Sequence, residues 1–212
     1  MFETIKNVVT LVMFGFASPF GLNIGTEELH YQTIEKLDNG IDIREYDERV
    51  AAETTVTGEP ADQARREGFE IIAGYIFGKN IEKKNIAMTS PVEVGTEGKR
   101  IAMTSPVEIS PSSSSMLMRF FMPAEYKIAS LPVPRDSRIR LITIPKSHYA
   151  VLRFTGSTSD RKVAIYSQKL LDGLKKTHWR ETETVRAYFY NPPWTIPFLR
   201  RNEVVVEVEA AK

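Results

Sequence analysis

The stretch Val50–Gly78 reads VAAETTVTGEPADQARREGFEIIAGYIFG and passes from one periodicity to another within a few residues. Up to Thr57 the chain alternates: Val50, Ala52, Thr54 and Val56 share one face, and Ala51, Glu53, Thr55 and Thr57 share the other. That is the period-two signature of a half-buried strand. Gly58-Glu59-Pro60 then breaks it, and Pro60 suits the first position of a helix, where a missing N–H would be unpaired in any case. Beyond it Phe69, Ile72 and Ile76, with Ala61, Ala64 and Ala73 nearby, form a helical stripe that runs until Gly78. The unit is a strand followed by an amphipathic helix.

The same plan returns later in the chain. Ile139–Ile144 and His148–Thr155 read as strands joined by Pro145-Lys146-Ser147, and Ser157-x-x-Asp160 opens a helix as a capping box with Asp in place of Glu. Val163, Tyr166, Leu170 and Leu174 follow at three- and four-residue steps. Sliding the chain by 98 residues sets Thr57-Gly58 on Thr155-Gly156, Asp62 on Asp160, Ile72 on Leu170 and Ile76 on Leu174. Val185–Tyr190 and Glu203–Glu209 close the second half, the latter with Val204, Val206 and Val208 on one face. The pattern predicts two strand–helix–strand–strand halves, related by a pseudo-twofold axis and sharing one sheet system. A groove forms where such halves meet, and small-molecule sites favour places of that kind.

Between the halves the octapeptide IAMTSPVE occurs twice, at Ile86–Glu93 and Ile101–Glu108, with Gly95-Thr96-Glu97-Gly98 as a loop. An antiparallel hairpin of the two copies is the economical reading. A local duplication that lengthens a β-ribbon without chemical purpose accounts for it equally well. Met116, Met118, Phe120 and Met122 then share one strand face, and Leu117, Arg119 and Phe121 the other. Five of the seven methionines thus fall between Met88 and Met122. Such a concentration fills a core, lines a soft pocket for a flat apolar ligand, or supplies a thioether to iron. Ser112–Ser115 and Pro123–Ser137 read as loops.

A chain of 212 residues fits one large domain or two small ones. The 28 basic residues against 27 acidic ones leave no field for phosphate-driven nucleic-acid binding. The absence of cysteine excludes disulfides, thiolate catalysis, zinc–thiolate sites and iron–sulfur clusters. No glycine-rich phosphate loop, metal-spaced histidine pair or nucleophile elbow occurs, and Thr89-Ser90 and Thr104-Ser105 have no base adjacent in sequence. At the N-terminus Lys6 precedes the apolar run Val8–Phe16, and Gly15 and Ala17 are small residues at the spacing of a signal-peptidase site. The run is too short to span a bilayer comfortably. Residues 1–26 are therefore read as an export signal or an interfacial anchor, which implies a periplasmic or envelope-anchored protein associated with the membrane surface; a cytoplasmic segment is the alternative. Residues 27–212 form the folded domain.

These residues resemble the SOUL haem-binding protein family from about Ile41 to Val208. The motifs that carry the resemblance are Ile43-Arg44-Glu45-Tyr46, Gly68-Phe69 through Tyr75-Ile76-Phe77-Gly78-Lys79-Asn80, and Ile86-Ala87-Met88-Thr89-Ser90-Pro91-Val92. Arg119-Phe120-Phe121-Met122-Pro123, Tyr190-Asn191-Pro192-Pro193 and Arg200-Arg201-Asn202-Glu203-Val204 follow in order. The resemblance implies an α+β domain: a distorted antiparallel β-barrel of eight or nine strands with two flanking helices and an internal pseudo-twofold repeat. It implies reversible, non-enzymatic binding of haem or another tetrapyrrole in an apolar groove beside the first helix, to buffer or transfer haem. The architecture is similar to the gyrase-inhibitor-like fold, so the alternative is a small-molecule effector-binding protein or a hydrolase.

Within that frame Phe69, Ile72, Ala73 and Ile76 offer a flat helix face, and Met88 and Met103 approach from the doubled ribbon. The same stripe also suits plain packing on the sheet. Arg65, Arg66, Lys79, Arg200 and Arg201 are the candidate propionate partners. One branch of the family carries a histidine immediately before the tyrosine of the Ile-Arg-x-Tyr motif, but Glu45 stands there in this chain. His30, His148 and His178 read as ordinary histidines, so axial ligation is expected to be weak or absent, and affinity to come from apolar burial. For the hydrolase alternative Glu45, Glu67 and Glu70 are the candidate carboxylates.

Overall fold

A computed structural model describes residues 26–96, 115–192 and 194–211. In chain order the elements are β1 (Glu27–Glu28), β2 (Tyr31–Leu37), β3 (Ile41–Tyr46), β4 (Arg49–Thr57), α1 (Ala61–Ile76), β5 (Thr89–Ser90), β6 (Val92–Thr96) and β7 (Ser115–Phe121). They continue as β8 (Arg140–Ile144), β9 (Ser147–Phe154), α2 (Asp160–Leu174), β10 (Trp179–Glu181), β11 (Arg186–Phe189) and β12 (Asn202–Ala210).

The main sheet is antiparallel and runs β2-β3-β9-β12-β11-β6-β7-β4-β8, with β10 also on β12. Its order forces it to curl. The two residues Asp47 and Glu48 connect β3 to β4, yet these strands lie near opposite ends of the sheet. Pro145 and Lys146 do the same for β8 and β9. The two crossings produce the distorted half-barrel, with two helices, of the expected α+β class.

The expected repeat is present. In one half α1 follows β4, and β6 and β7 return beside it; in the other α2 follows β9, and β11 and β12 return. The halves join where β6 pairs with β11. Equivalent positions behave alike: Ile72 and Leu170 are both 0 % exposed, and Ile76 and Leu174 both 1 %. At the strand-to-helix corners Gly58 and Gly156 have φ of 81° and 95°, a backbone region that favours glycine.

Register fixes the layers. Ala52, Phe120, Val92, Phe189, Asn202 and Phe154 stand side by side on β4, β7, β6, β11, β12 and β9. Ala52 and Phe120 pack with Ile72 and Ile76 of α1, and Phe154 packs with Leu170 and Leu174 of α2. Both helices therefore cover one face. The opposite, concave face buries Tyr46, Ala51, Phe121, Tyr149, Val151, Tyr188, Tyr190 and Val205.

Several expectations need correction. The strand through Val50–Val56 is buried on both faces, not half-buried, because Ala51 (0 %) and Glu53 (4 %) meet the concave core. Pro60 caps α1, and Ala61 is its first residue. The helix stripe also includes Gly68, Ile71 and Tyr75, while Phe69 points outward. The hairpin between the IAMTSPVE copies does not form at Val92–Val94, where both edges of β6 are occupied, by β7 and by β11. The second copy, Met103 included, lies outside the described residues.

Candidate functional site

Helix α1 sits close on the sheet because Gly68 removes a side chain: a Cβ there would come within 3.3 Å of Met116 and 3.5 Å of Met118. Met118 and Met122 are buried beneath it, with Met116 partly so, and these methionines fill core. Ile72 (0 %), Ile76 (1 %) and Ala73 (9 %) are also inside. Of the expected groove residues among those described, only Phe69 (42 % exposed) and Met88 (37 %) are presented to solvent. The Phe69 ring leans on Phe120 at 5.3 Å, so it is held by the core while it remains reachable.

Met88 is carried to the end of α1 by backbone bonding. The Ile86 N–H donates to the Ile76 carbonyl at 2.8 Å, and Phe77 bridges to Asn85. The Thr89 hydroxyl donates to the Phe121 carbonyl. Two residues of this end escaped the sequence reading: Phe77 is 63 % exposed and Ile81 57 %. The signal for Phe77 is that it ends the apolar run Tyr75-Ile76-Phe77, and Ile81 stands alone between Asn80 and Glu82. Phe69, Phe77, Ile81 and Met88 thus give α1 and the segment after it an apolar surface backed by core.

The cations around it differ in how far they are engaged. Arg65 is held by Asp62 and, at 2.5 Å, by Asp160 of α2. Arg201 pairs with Glu28 and Glu203 and lies over the Tyr190 ring at 3.8 Å. Arg200 donates from Nε to the Thr195 carbonyl at 2.7 Å. Arg66 and Lys79 are exposed, and their side chains make no hydrogen bond or ion pair among the described residues. The stem of Lys79 lies across Gly74, where a Cβ would be 3.0 Å from Cδ. Of the five cations singled out in the sequence, Arg66 and Lys79 keep unengaged side-chain charges among the described residues.

Two of the histidines face carboxylates. His148 pairs with Glu45 at 3.2 Å, and Lys146, bonded at 2.6 Å, holds the Glu45 carboxyl below the usual carboxylate range. His178 sits 3.7 Å from Glu35 beside Trp179, and His30 is exposed. Among the described residues no group of three or more His, Cys, Asp or Glu side chains is placed to hold a metal ion. Glu67 bonds Arg138 at 2.8 Å in solvent, and Glu70 is exposed. Among the described residues no helix is long and apolar enough to cross a membrane.

A second apolar feature is the β11–β12 loop, which leaves Trp194 (65 %), Phe198 (70 %) and Leu199 (40 %) exposed. Its frame is firm: the Thr195 N–H donates to the Pro192 carbonyl at 3.0 Å, and the Arg201 N–H to Asn191 Oδ1 at 2.7 Å. Phe189 pairs with Val92, so the loop leaves the sheet at the strand end that Pro91 and Met88 approach.

The concave face carries a charged row across five strands: Glu53, Arg119, Glu93, Tyr188 and Glu203 are successive cross-strand neighbours. Arg119 bonds Glu53 at 2.6 Å and Glu93 at 2.9 Å. Glu203 accepts from Arg44, Arg201 and, at 2.7 Å, the Tyr190 hydroxyl. Burial, then Glu203, pushes the Tyr190 hydroxyl far up.

Comparison with known proteins follows the same lines. The model of the SOUL heme-binding protein family matches residues 26–207. Heme-binding protein 1 of Xenopus laevis is 27 % identical over 161 residues, which span 76 % of this chain and 80 % of that protein. Among solved structures, the C-terminal domain of EcmrR has a TM-score of 0.58 at 12 % identity, covering 85 % of this chain and 99 % of that one. A hydrolase from Listeria innocua has a TM-score of 0.50 at 9 % identity, covering 83 % and 94 %. At such identities the two structures share the fold alone.

Proposed function

The chain belongs to the SOUL heme-binding protein family, and from that premise we propose that it binds haem or a related tetrapyrrole reversibly and non-enzymatically, on the apolar surface beside α1. The observation that carries this reading is the exposure of Phe69 and Met88 over a core-backed helix face, with Phe77 and Ile81 beyond them. A flat macrocycle laid there would bury apolar area at about 25 cal/mol per Å². Arg66 and Lys79 would meet its carboxylates. Ile72, Ala73 and Ile76 would act as the rigid backing of the surface, not as contact residues.

Haem supplies an iron whose axial positions a protein side chain can fill. Of the described residues on this surface only Met88 offers a thioether, and His148 and His178 face Glu45 and Glu35. Affinity would therefore rest on apolar burial, which suits exchange and hence buffering or transfer. General acid–base chemistry would need a carboxylate tuned at the ligand; Glu67 and Glu70 are turned to water, which supports a binding role.

Titration of the purified protein with haemin should give a saturable Soret shift near one-to-one stoichiometry. Phe69→Asp should remove it and leave the circular dichroism unchanged; an unsaturable shift, or one indifferent to Phe69→Asp, overturns the reading. The apolar run Val8–Phe16 supports an envelope location. N-terminal sequencing of protein from its native host tests that, and an intact Met1 on protein recovered without membranes would reject it.

A further inference from the structure

On the concave face, opposite the helices, Arg49 carries a charge that no carboxylate meets at ion-pair distance, with Glu93 acting on it only from farther off. The residue is 8 % exposed. Its guanidinium lies 4.9 Å from the ring centres of both Tyr46 and Tyr149 and 5.6 Å from that of Phe121. These rings come from β3, β9 and β7, so Arg49 sits where the curled sheet closes on itself. Its one hydrogen bond runs from Nη1 to the Asp47 carbonyl at 3.4 Å; Nε and Nη2 are buried without an acceptor.

Neighbouring arginines are treated differently. Arg44 has Asp42 and Glu203, Arg119 has Glu53 and Glu93, and Arg186 has Glu93 and Glu183. Among the described residues Arg49 alone of the buried arginines has no carboxylate within ion-pair distance. A guanidinium cannot shed its proton to escape this. A buried ion without a close counter-charge is costly, and aromatic faces recover only part of that cost.

Two more donors lie within electrostatic reach of the same cation. The hydroxyls of Tyr46 (1 % exposed) and Tyr188 (0 %) are buried and donate no hydrogen bond of good geometry, although the Tyr46 oxygen also faces the Arg44 guanidinium. Tyr188 approaches the guanidinium but completes no hydrogen bond of good geometry. Nε and Nη2 share one edge of the guanidinium, the edge that grips a carboxylate with two parallel bonds. Aromatic walls, a free guanidinium fork and two spare hydroxyl donors are complementary to a carboxylate on a flat apolar body.

We propose that the concave face is a second binding site, in which the free edge of Arg49 and the hydroxyls of Tyr46 and Tyr188 receive the carboxylate of a small planar organic acid. The cover over this core is thin. Leu29 packs against it, and Tyr31, 40 % exposed, rests on Tyr46 at 5.4 Å. Leu29 lies between β1, which is held by two register pairs to β5, the Glu28–Arg201 ion pair and the bond from the Ala124 N–H to Glu27, and the first residue of β2, Tyr31, which pairs with Tyr46. The acid enters by lifting this segment. The site is separate from the surface beside α1, because the sheet lies between them.

Benzoate is the probe and benzamide its uncharged counterpart. In the isotope-labelled full chain, the Arg49 Nε–Hε resonance should shift saturably with benzoate and not with benzamide. Tyr188→Phe should weaken the midpoint by about tenfold, the value of one lost hydrogen bond to a charged group. Arg49→Met should abolish binding; if that variant does not fold, the Tyr46→Phe/Tyr188→Phe pair decides. Absence of saturation in the parent chain, an equal response to benzamide, or an unchanged midpoint in the tyrosine variants would overturn the proposal and leave buried water as the partner of these donors. Haemin titration reports on the other face, so failure of either site leaves the other standing.

Discussion

Arg44 on β3 and Glu203 on β12 meet at 3.1 Å, although β9 lies between their strands. Arg44 reaches diagonally over β9 inside the curl, and Glu203 is 0 % exposed. The same carboxylate accepts from Arg201 and from the Tyr190 hydroxyl. Glu203→Ala leaves two guanidinium groups and a phenol without their acceptor, and should cost about 3–5 kcal/mol in urea unfolding. Glu203→Gln keeps the shape but not the charge and should fall between the two.

Phe69 and Ile72 separate binding from stability. Phe69→Ala removes an exposed ring and should weaken haemin binding while moving the unfolding midpoint little. Ile72→Ala opens a cavity at a 0 % exposed position and should lose about 2–5 kcal/mol. Thermal melts alongside Soret titrations check both. If Ile72→Ala binds haemin more weakly while it melts like the parent, Ile72 contacts ligand after all.

The buried tyrosines make the fold sensitive to base. Burial, then Glu203, pushes the Tyr46 hydroxyl from 10 up to about 12, and burial raises Tyr188 and Tyr149 as well. A folded-state value above the unfolded one means that the native chain holds these protons more tightly. The stability that Tyr46 contributes is complete below pH 10 and is lost as pH climbs through 12. For Tyr46 alone the loss is roughly 3 kcal/mol. Fluorescence-monitored unfolding should show a falling midpoint between those values, and Tyr46→Phe should flatten part of the fall.

Arg65 joins the two helices through Asp62 and Asp160, the residues that the repeat places in equivalent positions. Despite that placement the pairs lie in solvent, where screening and side-chain entropy offset attraction. Arg65→Gln should change stability by under about 1 kcal/mol, with less effect still at high salt. Denaturant unfolding at two ionic strengths measures it.

The repeat was legible because strand and helix periods survive as local patterns. Gly58 and Gly156 mark the same corner, and the Ile72/Leu170 and Ile76/Leu174 pairs are buried alike. The site was legible only in part. The stripe Phe69-Ile72-Ile76 told which side of α1 is apolar but not which members are covered, since Gly68 lets the helix settle onto Met116 and Met118 and tips Phe69 outward. Residues Phe77 and Ile81 lie past the helix, where no period applies.

The sequence by itself determined the strand–helix units, their duplication, the family, and the alternation that sets Glu53 and Arg119 on the face away from the helices. Only the tertiary structure decided that this second face is interior. Strand alternation sorts side chains into two faces, but whether a face meets water depends on sheet order. Here the short β3–β4 and β8–β9 connections join strands from opposite ends of the sheet and curl it. That closure brings Arg49 and its chain neighbour Tyr46 against Tyr149 and Phe121, which lie far along the sequence.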